Sequence, residues 1–245
     1  MFKYVDYYQE YGRIMQFNKN KKEPIHRWYP FVEGYSKEFI KSIIDEVNKK
    51  DLVCLEPFSG SGTTSLELQH NNIPCYSFEI NPLMYIIAKV KLENDYDLNK
   101  VELWHDFIQT NRAVINADLK TVFSTLYEGD NKEKWNYDKA VGLAVQKLKT
   151  SISLVKEEKY KNLFFVVLSS ILLDVSNLYR NGKCLSYKKN WEEITLSEAD
   201  VFKKFDDKIN KEIKKDIQSI KKTAQNNQNI LFNEDSRVGI EKEVE

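Results

Sequence analysis

The chain has 245 residues, enough for one sizeable core with an insertion, and its 42% hydrophobic content with only eight Gly and five Pro excludes a disordered or fibrous protein. Lysine plus arginine equals aspartate plus glutamate at 37 each, so no global field draws nucleic acid to the chain, and any basic surface is local or lies on a partner. Three scattered cysteines, Cys54, Cys75 and Cys184, form no CxxC pair, which argues against a zinc knuckle or a disulfide framework and fits a reducing cytoplasm. The opening MFKYVDYYQEYGR lacks the basic-then-apolar pattern of an export signal, and the best membrane candidate, LFFVVLSSILL at 163–173, is too short to span, so no membrane role is expected.

In chain order, residues 1 to about 24 read as an aromatic lead-in ending in a lysine-rich run expected to be a solvated loop. IHRWYPFVEGY is dense in aromatics, and Ser36 then caps an expected helix in which Phe39, Ile40, Ile43, Ile44 and Val47 recur at helical spacing. DLVCLE, 51–56, is a short β-prone run that ends at a glycine loop. TTSLELQH restarts a helix, IPCYSFEI forms a second strand ending at Glu79, and NPLMYIIAKVKL opens another helix with Pro82 in its first turn. Strand, glycine loop, helix, strand, acid, helix is the first half of a doubly wound α/β sheet. From about 93 to 225 the strand signal fades and helical patterns take over, with Phe202, Phe205, Ile209, Ile213, Ile217 and Ile220 forming one stripe. ILF at 230–232 reads as a third strand. The expected organisation is therefore a first half of the α/β domain over 1–92, a helical insertion over 93–225 and a third strand over 226–245.

The stretch LEPFSGSGTTSLEL, 55–68, decides the ligand class. A phosphate-gripping P-loop needs four residues between its glycines and a Lys-Ser/Thr pair after them, whereas Gly60 and Gly62 are followed by Thr63 and Thr64. A dinucleotide fingerprint survives in weaker form, with Ser65 as the third small residue and Glu79 for a ribose, and would make the chain a nicotinamide-dependent oxidoreductase. Glu56 at the mouth of the first strand tips the balance, because a carboxylate repels a pyrophosphate and attracts the ammonium of an amino-acid moiety such as that of S-adenosylmethionine. A plain tight turn remains the bland alternative.

These residues carry a resemblance. LEPFSGSGTT resembles the (Asp/Glu)-Pro-Phe-x-Gly-x-Gly-Thr-Thr loop of DNA amino-methyltransferases, which modify adenine N6 or cytosine N4, and FEINPLMYIIAK resembles their second cofactor segment. HRWYPF and ILFNEDSR are similar to the N-terminal cofactor segment and the third strand of the same family. The resemblance implies an incomplete, three-stranded Rossmann-like methyltransferase sheet with a large helical insertion, S-adenosylmethionine as cofactor and double-stranded DNA as substrate in a restriction-modification system. It implies that the backbone around Pro57, Phe58, Gly60 and Gly62 closes on the methionine moiety with Glu56 and Thr63 nearby. Glu79 would hold the ribose hydroxyls, Ile80 and Pro82 would flank the adenine, and Asp235 would accept from its amino group. His26, Arg27, Trp28 and Phe31 would form the far wall. Core packing is the alternative for Trp28 and Phe31, a structural histidine for His26 and an ordinary turn for Asp235.

The family's catalytic (Asp/Asn/Ser)-Pro-Pro-(Tyr/Phe/Trp) loop has no counterpart, since the prolines stand at 24, 30, 57, 74 and 82 and no two are adjacent. A split enzyme completed by a second methyltransferase chain, a truncated product and a non-catalytic cofactor- or DNA-binding subunit are the three explanations. For DNA contact the segment SNLYRNGKCLSYKKNW, 176–191, offers Arg180, Lys183 and Lys188 with Tyr187, cations for phosphate and a ring for stacking, although a solvated loop closing a helical hairpin accounts for it as well.

Overall fold

The structure, a computed structural model, describes residues 6–31, 33–119, 125–129, 132–182, 184–219 and 229–243. After the short helix α1 (Tyr8–Tyr11) come two 3-10 turns, Phe17–Lys22 and His26–Trp28. The first takes the place of the loop expected at the lysine run, with Lys19, Lys21 and Lys22 exposed as expected. Asn20 is buried there, its amide nitrogen donating to the Tyr35 carbonyl at 3.0 Å and its amide oxygen accepting from the Lys37 N–H at 2.9 Å. A side chain that donates and accepts at once can itself be buried within an exposed polar run, and hydropathy does not reveal it.

Helix α2 (Lys37–Val47) starts at the expected cap, with the Ser36 hydroxyl accepting from the Phe39 N–H at 3.2 Å, and ends where Asn48 turns left-handed. Strand β1 (Cys54–Glu56), helix α3 (Thr63–His70), strand β2 (Cys75–Phe78) and helix α4 (Pro82–Leu92) follow in the expected order. Asn81 caps α4 by accepting from the Leu83 N–H at 2.9 Å, and Pro82 occupies the first turn. Beyond these lie α5 (Leu98–Val114), α6 (Lys139–Ser153), α7 (Glu158–Ile171), a hairpin of β3 (Leu178–Asn181) and β4 (Cys184–Tyr187), and α8 (Glu198–Lys208). A π turn (Ile209–Ile213) leads into α9 (Lys214–Ser219), and β5 (Asn229–Phe232) and α10 (Ser236–Glu243) complete the described elements.

The chain forms two compact units, residues 1–95 with 219–245, and residues 96–218. In the first, a parallel three-stranded sheet runs in the order β1-β2-β5, with Glu56 opposite Ser77 and Ser77 opposite Leu231. The mixed α/β, methyltransferase-like fold read from the sequence is the one observed. Helix α3 lies on one face, where the Ser65 and Ser77 hydroxyls are 2.7 Å apart and the Asn229 amide donates to the Ser65 carbonyl at 2.9 Å. Helix α10 approaches the Phe78 ring so closely that a Cβ on Gly239 would sit 2.4 Å from it, while Phe78 and Phe232 stack at 4.9 Å. Among the described residues, the outer edges of β1 and β5 have no strand partner.

The second unit packs α5 to α9 around Val141, Leu148, Phe164, Phe205 and Ile209. The expected stripe holds with one correction: Val201 enters the core and Phe202 lies under the Arg112 guanidinium at 4.4 Å instead, while Ile220 falls outside the described residues. The buried positions 201, 205, 209, 213 and 217 step by four, which overshoots 3.6 residues per turn, and the wider π turn takes up the difference. The β3–β4 hairpin is a second correction, in a stretch where no strand was expected. Its register pairs Asn181 with Cys184 and leaves Gly182, at φ +60°, as the first residue of a two-residue connection, a hairpin signature legible in the sequence. No helix among the described residues is long and apolar enough to cross a membrane.

Candidate cofactor-binding site

The site is built at the carboxyl ends of β1 and β2, where open parallel sheets bind ligands. After β1 the chain bends through Gly60 at φ +54° and Gly62 at φ +80°. The bend is tied to the neighbouring strand by the Ser59 N–H, which donates to the Phe78 carbonyl at 2.9 Å, and closed by the Gly62 N–H donating to Ser59 at 2.9 Å. A Cβ at Gly62 would lie 2.9 Å from the Ala88 Cβ on α4, so backbone conformation and helix packing both demand glycine there. Phe31 faces the bend: its Cε1 is 3.7 Å from where a Gly60 Cβ would stand.

Glu79 follows β2. One carboxylate oxygen accepts from the Gly60 N–H at 2.7 Å and the other from the Asn81 N–H at 2.8 Å. Its main chain is pinned as well, donating to the Phe232 carbonyl at 3.0 Å and accepting from the Asn233 side-chain amide at 2.7 Å. A carboxylate has about four lone-pair sites, so two remain for a ligand. Glu79 lines a cavity of about 390 Å³ together with Pro57, Phe58, Phe78 and Ile80 from the first two strand ends and the 234–237 segment after β5. Phe58 and Ile80 are 79% and 65% exposed, two large apolar side chains held out beside an acid. The charged lining residues are Glu79, Glu234, Asp235 and Arg237, three carboxylates against one guanidinium, a balance that favours a cationic ligand over a pyrophosphate.

Other expected residues sit elsewhere. Glu56 does not line the cavity. Its carboxylate accepts from the Phe58 N–H at 3.0 Å and from the Tyr35 hydroxyl at 3.1 Å, and that hydroxyl also meets Thr64, so Glu56 braces the loop against the N-terminal segment. Burial and the neighbouring Glu56 charge push the Tyr35 hydroxyl up to about 12, which keeps it a neutral donor. Thr63 is buried at the start of α3, and Pro82 begins α4 outside the cavity lining. His26 and Trp28 are buried in the core rather than in the cavity wall. His26 Nε2 is 2.8 Å from Glu67, and burial pushes its pKa down more than Glu67 raises it. Burial pushes Glu67 up, but hydrogen bonds from His26 and His70 outweigh it and bring its carboxyl down to about 2.

Asp235 does line the cavity, and it also starts α10. Its Oδ1 accepts the Arg237 N–H at 3.0 Å and its Oδ2 meets Arg237 Nη2 at 2.5 Å, contacts that hold its carboxyl down to about 2. Phe78, Glu234, Ser236 and Arg237 are lining residues that the sequence reading missed. The available signal was ILFNEDSR itself: where a strand end passes directly into a helix start, neighbours of the one expected acid share the rim.

In the second unit, Arg180 is exposed on the hairpin and the ring of Tyr179 is 44% exposed. Tyr187 is engaged, its hydroxyl donating to Asn136 at 3.2 Å and its ring 5.2 Å from that of Trp191. Lys188 donates to the carbonyls of Asp174 and Ser176, at 3.3 and 2.5 Å, and desolvation lowers its pKa. Both therefore anchor the hairpin base instead of reaching outward. Lys183 lies outside the described residues.

Comparison with known proteins gives the family. A family model described as D12 class N6 adenine-specific DNA methyltransferase matches residues 36–241. The chain is 25% identical over 194 residues, 77% of its length, to the Type II methyltransferase M.MvaI of Kocuria varians, of which the match covers 42%. It is 35% identical over 81 residues to the Type II methyltransferase M.BsoBI of Geobacillus stearothermophilus and 30% identical over 80 residues to M.AvaI of Nostoc sp.; each match covers 32% of this chain, and 16% and 17% of those relatives. The matches thus cover less than half the length of each of these relatives, and no solved structure gives a significant match. With the family model covering most of the chain, the protein belongs to the D12 class of N6 adenine-specific DNA methyltransferases, a class whose methyl donor is S-adenosylmethionine.

Proposed function

We propose that this chain is the S-adenosylmethionine-binding part of a DNA amino-methyltransferase of a restriction-modification system, acting on the exocyclic amine of adenine, and that turnover requires a second polypeptide. The observation that carries the reading is Glu79: a carboxylate fixed by two backbone N–H groups, with lone pairs left over, beside a side-chain-free bend and two exposed apolar side chains. The residues fit the cofactor. Vicinal ribose hydroxyls are donors for which an ionised carboxylate is the natural acceptor, and the acid-rich lining suits a ligand with net positive charge.

In this assignment Pro57, Phe58, Gly60 and Gly62 enclose the methionine moiety, with Thr63 opening the helix behind it. Ile80 and Phe58 provide apolar surface for the purine, Pro82 fixes the start of the helix beside it, and Asp235 accepts from the amine. Phe31 completes the wall on the Gly60 side. Glu56 acts through the loop it braces. When bound, the cofactor supplies an electrophilic methyl on a sulfonium; the chain's task is to hold it with the methyl facing outward and water excluded.

The exocyclic amine must also lose a proton, and the family loop for that step is absent from the sequence, in which no two prolines are adjacent. The unpaired outer edge of β1, as far as the described residues go, is where a further strand carrying that loop would pair, because the fourth strand of a doubly wound sheet lies beside the first. Arg180, exposed on the hairpin, supplies a DNA phosphate contact. A non-catalytic cofactor- or DNA-binding subunit is the second reading, favoured by the same missing loop.

Calorimetric titration with S-adenosylmethionine and with NAD tests the assignment. Binding of the former with little of the latter is expected; tight NAD binding with no S-adenosylmethionine binding overturns it. Incubation with DNA and labelled cofactor should yield N6-methyladenine only after a polypeptide bearing the Pro-Pro-aromatic loop is added, and methylation by the chain alone removes the partner requirement.

A further inference from the structure

We infer that Arg237 is a positioning residue for purine recognition: its guanidinium fixes the Asp235 carboxylate in the plane that presents an acceptor lone pair to the cavity. The inference rests on the cofactor reading above and deepens it at one position. A carboxylate that only caps a helix accepts one backbone N–H and keeps rotational freedom about its last bond. Asp235 has that contact, from the Arg237 N–H to Oδ1 at 3.0 Å, and three more from the same residue's side chain. Arg237 Nε lies 3.0 Å from Oδ1 and 3.2 Å from Oδ2, and Nη2 lies 2.5 Å from Oδ2. A planar fork against both oxygens locks the carboxylate plane in a way that a single donor cannot. These contacts use three hydrogens, the Nε–H being shared between the two oxygens, against about four lone-pair sites, so about one site is left for an amine.

Charge points the same way. Glu79, Glu234 and Asp235 line one cavity, and among the described residues Arg237 is the only basic one lining it. Removing the guanidinium would leave Asp235 among like charges, favouring protonation and converting an acceptor into a donor. The Arg237 side chain is 85% exposed, so truncating it opens no hole in the core and the variant should fold.

The test is affinity for S-adenosylhomocysteine against S-inosylhomocysteine, which carries a carbonyl oxygen in place of the purine amine, measured by calorimetry on wild type, Arg237→Ala and Arg237→Lys. Wild type should prefer the amino form by about 10- to 100-fold, the worth of one hydrogen bond to a charged acceptor. Arg237→Ala should lose most of that preference with its ligand-free melting temperature unchanged, and Arg237→Lys should recover part of it. If Arg237→Ala keeps the wild-type preference, or if wild type binds both ligands equally, the inference fails while the cofactor reading stands. If wild type binds neither, the cofactor reading itself fails, and the inference with it.

Discussion

Glu79 reaches across from the end of β2 to accept the Gly60 N–H at 2.7 Å, so the residue proposed to hold the ribose also holds the loop proposed to close on the methionine moiety. One side chain thereby couples two halves of the site. Replacing Glu79 with Ala should weaken S-adenosylmethionine binding by roughly 1.5–3 kcal/mol, the value of hydrogen bonds to a charged acceptor. The ligand-free melting temperature should fall as well, because the Gly60 and Asn81 N–H groups lose their partner. Unchanged affinity with a lowered melting temperature would make Glu79 a loop anchor only.

The two glycines of the bend are predicted to differ. Gly62→Ala forces an L side chain into the left-handed region, about 1–2 kcal/mol, and drives its Cβ to within 2.9 Å of the Ala88 Cβ, adding roughly 1–3 kcal/mol of overpacking. Among the described residues Gly60→Ala meets nothing nearer than 3.7 Å and should cost only the backbone share. Urea denaturation of the two variants should rank Gly62→Ala as clearly the less stable, and equal losses would mean that α4 yields to the added methyl.

Which of these relationships could be read from the sequence depends on how local they are. Ser36, Asn81 and Pro82 act within one helical turn of the helix they start, and the order from β1 to α4 was legible for that reason. The position of Glu79 was legible because an acid at a strand tip beside a glycine bend falls at the rim of the cavity there. Glu56 was placed beside the cofactor on charge and on the family resemblance, whereas the side chain it meets, Tyr35, comes from a segment whose docking no periodicity encodes. His26 was likewise claimed by Glu67 across 41 positions of sequence. The β3–β4 hairpin was missed for a different reason: lysine-rich flanks and short strands lower the hydropathy signal, while the informative residue was the single Gly182 at the turn.

His26 predicts a pH dependence. It donates from Nε2 to Glu67, and its buried Nδ1 has no hydrogen-bond partner among the described residues. A bare lone pair is tolerable there, whereas protonation would create a buried donor with nothing to receive it. The folded pKa therefore lies below the ordinary 6.5, so the unfolded chain takes up a proton that the folded chain refuses. Stability from this residue is complete above about 6.5 and declines as pH falls through that value toward the folded pKa. Glu67, brought from 4.5 down to about 2, adds a further loss as pH drops between those values. His26→Gln, which can still donate to Glu67 but does not titrate, should flatten the decline in unfolding free energy between pH 7 and pH 5. An identical slope in the variant would show that His26 is not its source.

Two basic residues close together in sequence, Arg180 and Lys188, should behave oppositely. Arg180 is exposed on the hairpin, where a phosphate can reach it, while the Lys188 ammonium donates to the Asp174 and Ser176 carbonyls just beyond α7. A residue that grips phosphate releases counterions on binding, so Arg180→Ala should lower duplex affinity and reduce the slope of log affinity against log salt by about 1. Lys188→Met removes hydrogen bonds that hold the hairpin base, so it should cost about 1 kcal/mol in stability and leave the salt slope alone. Fluorescence anisotropy with a duplex over a salt series, alongside urea denaturation, separates the two effects. A wild-type slope in Arg180→Ala would place the DNA contact elsewhere on the chain or on its partner, because a phosphate contact cannot be lost without returning its counterion.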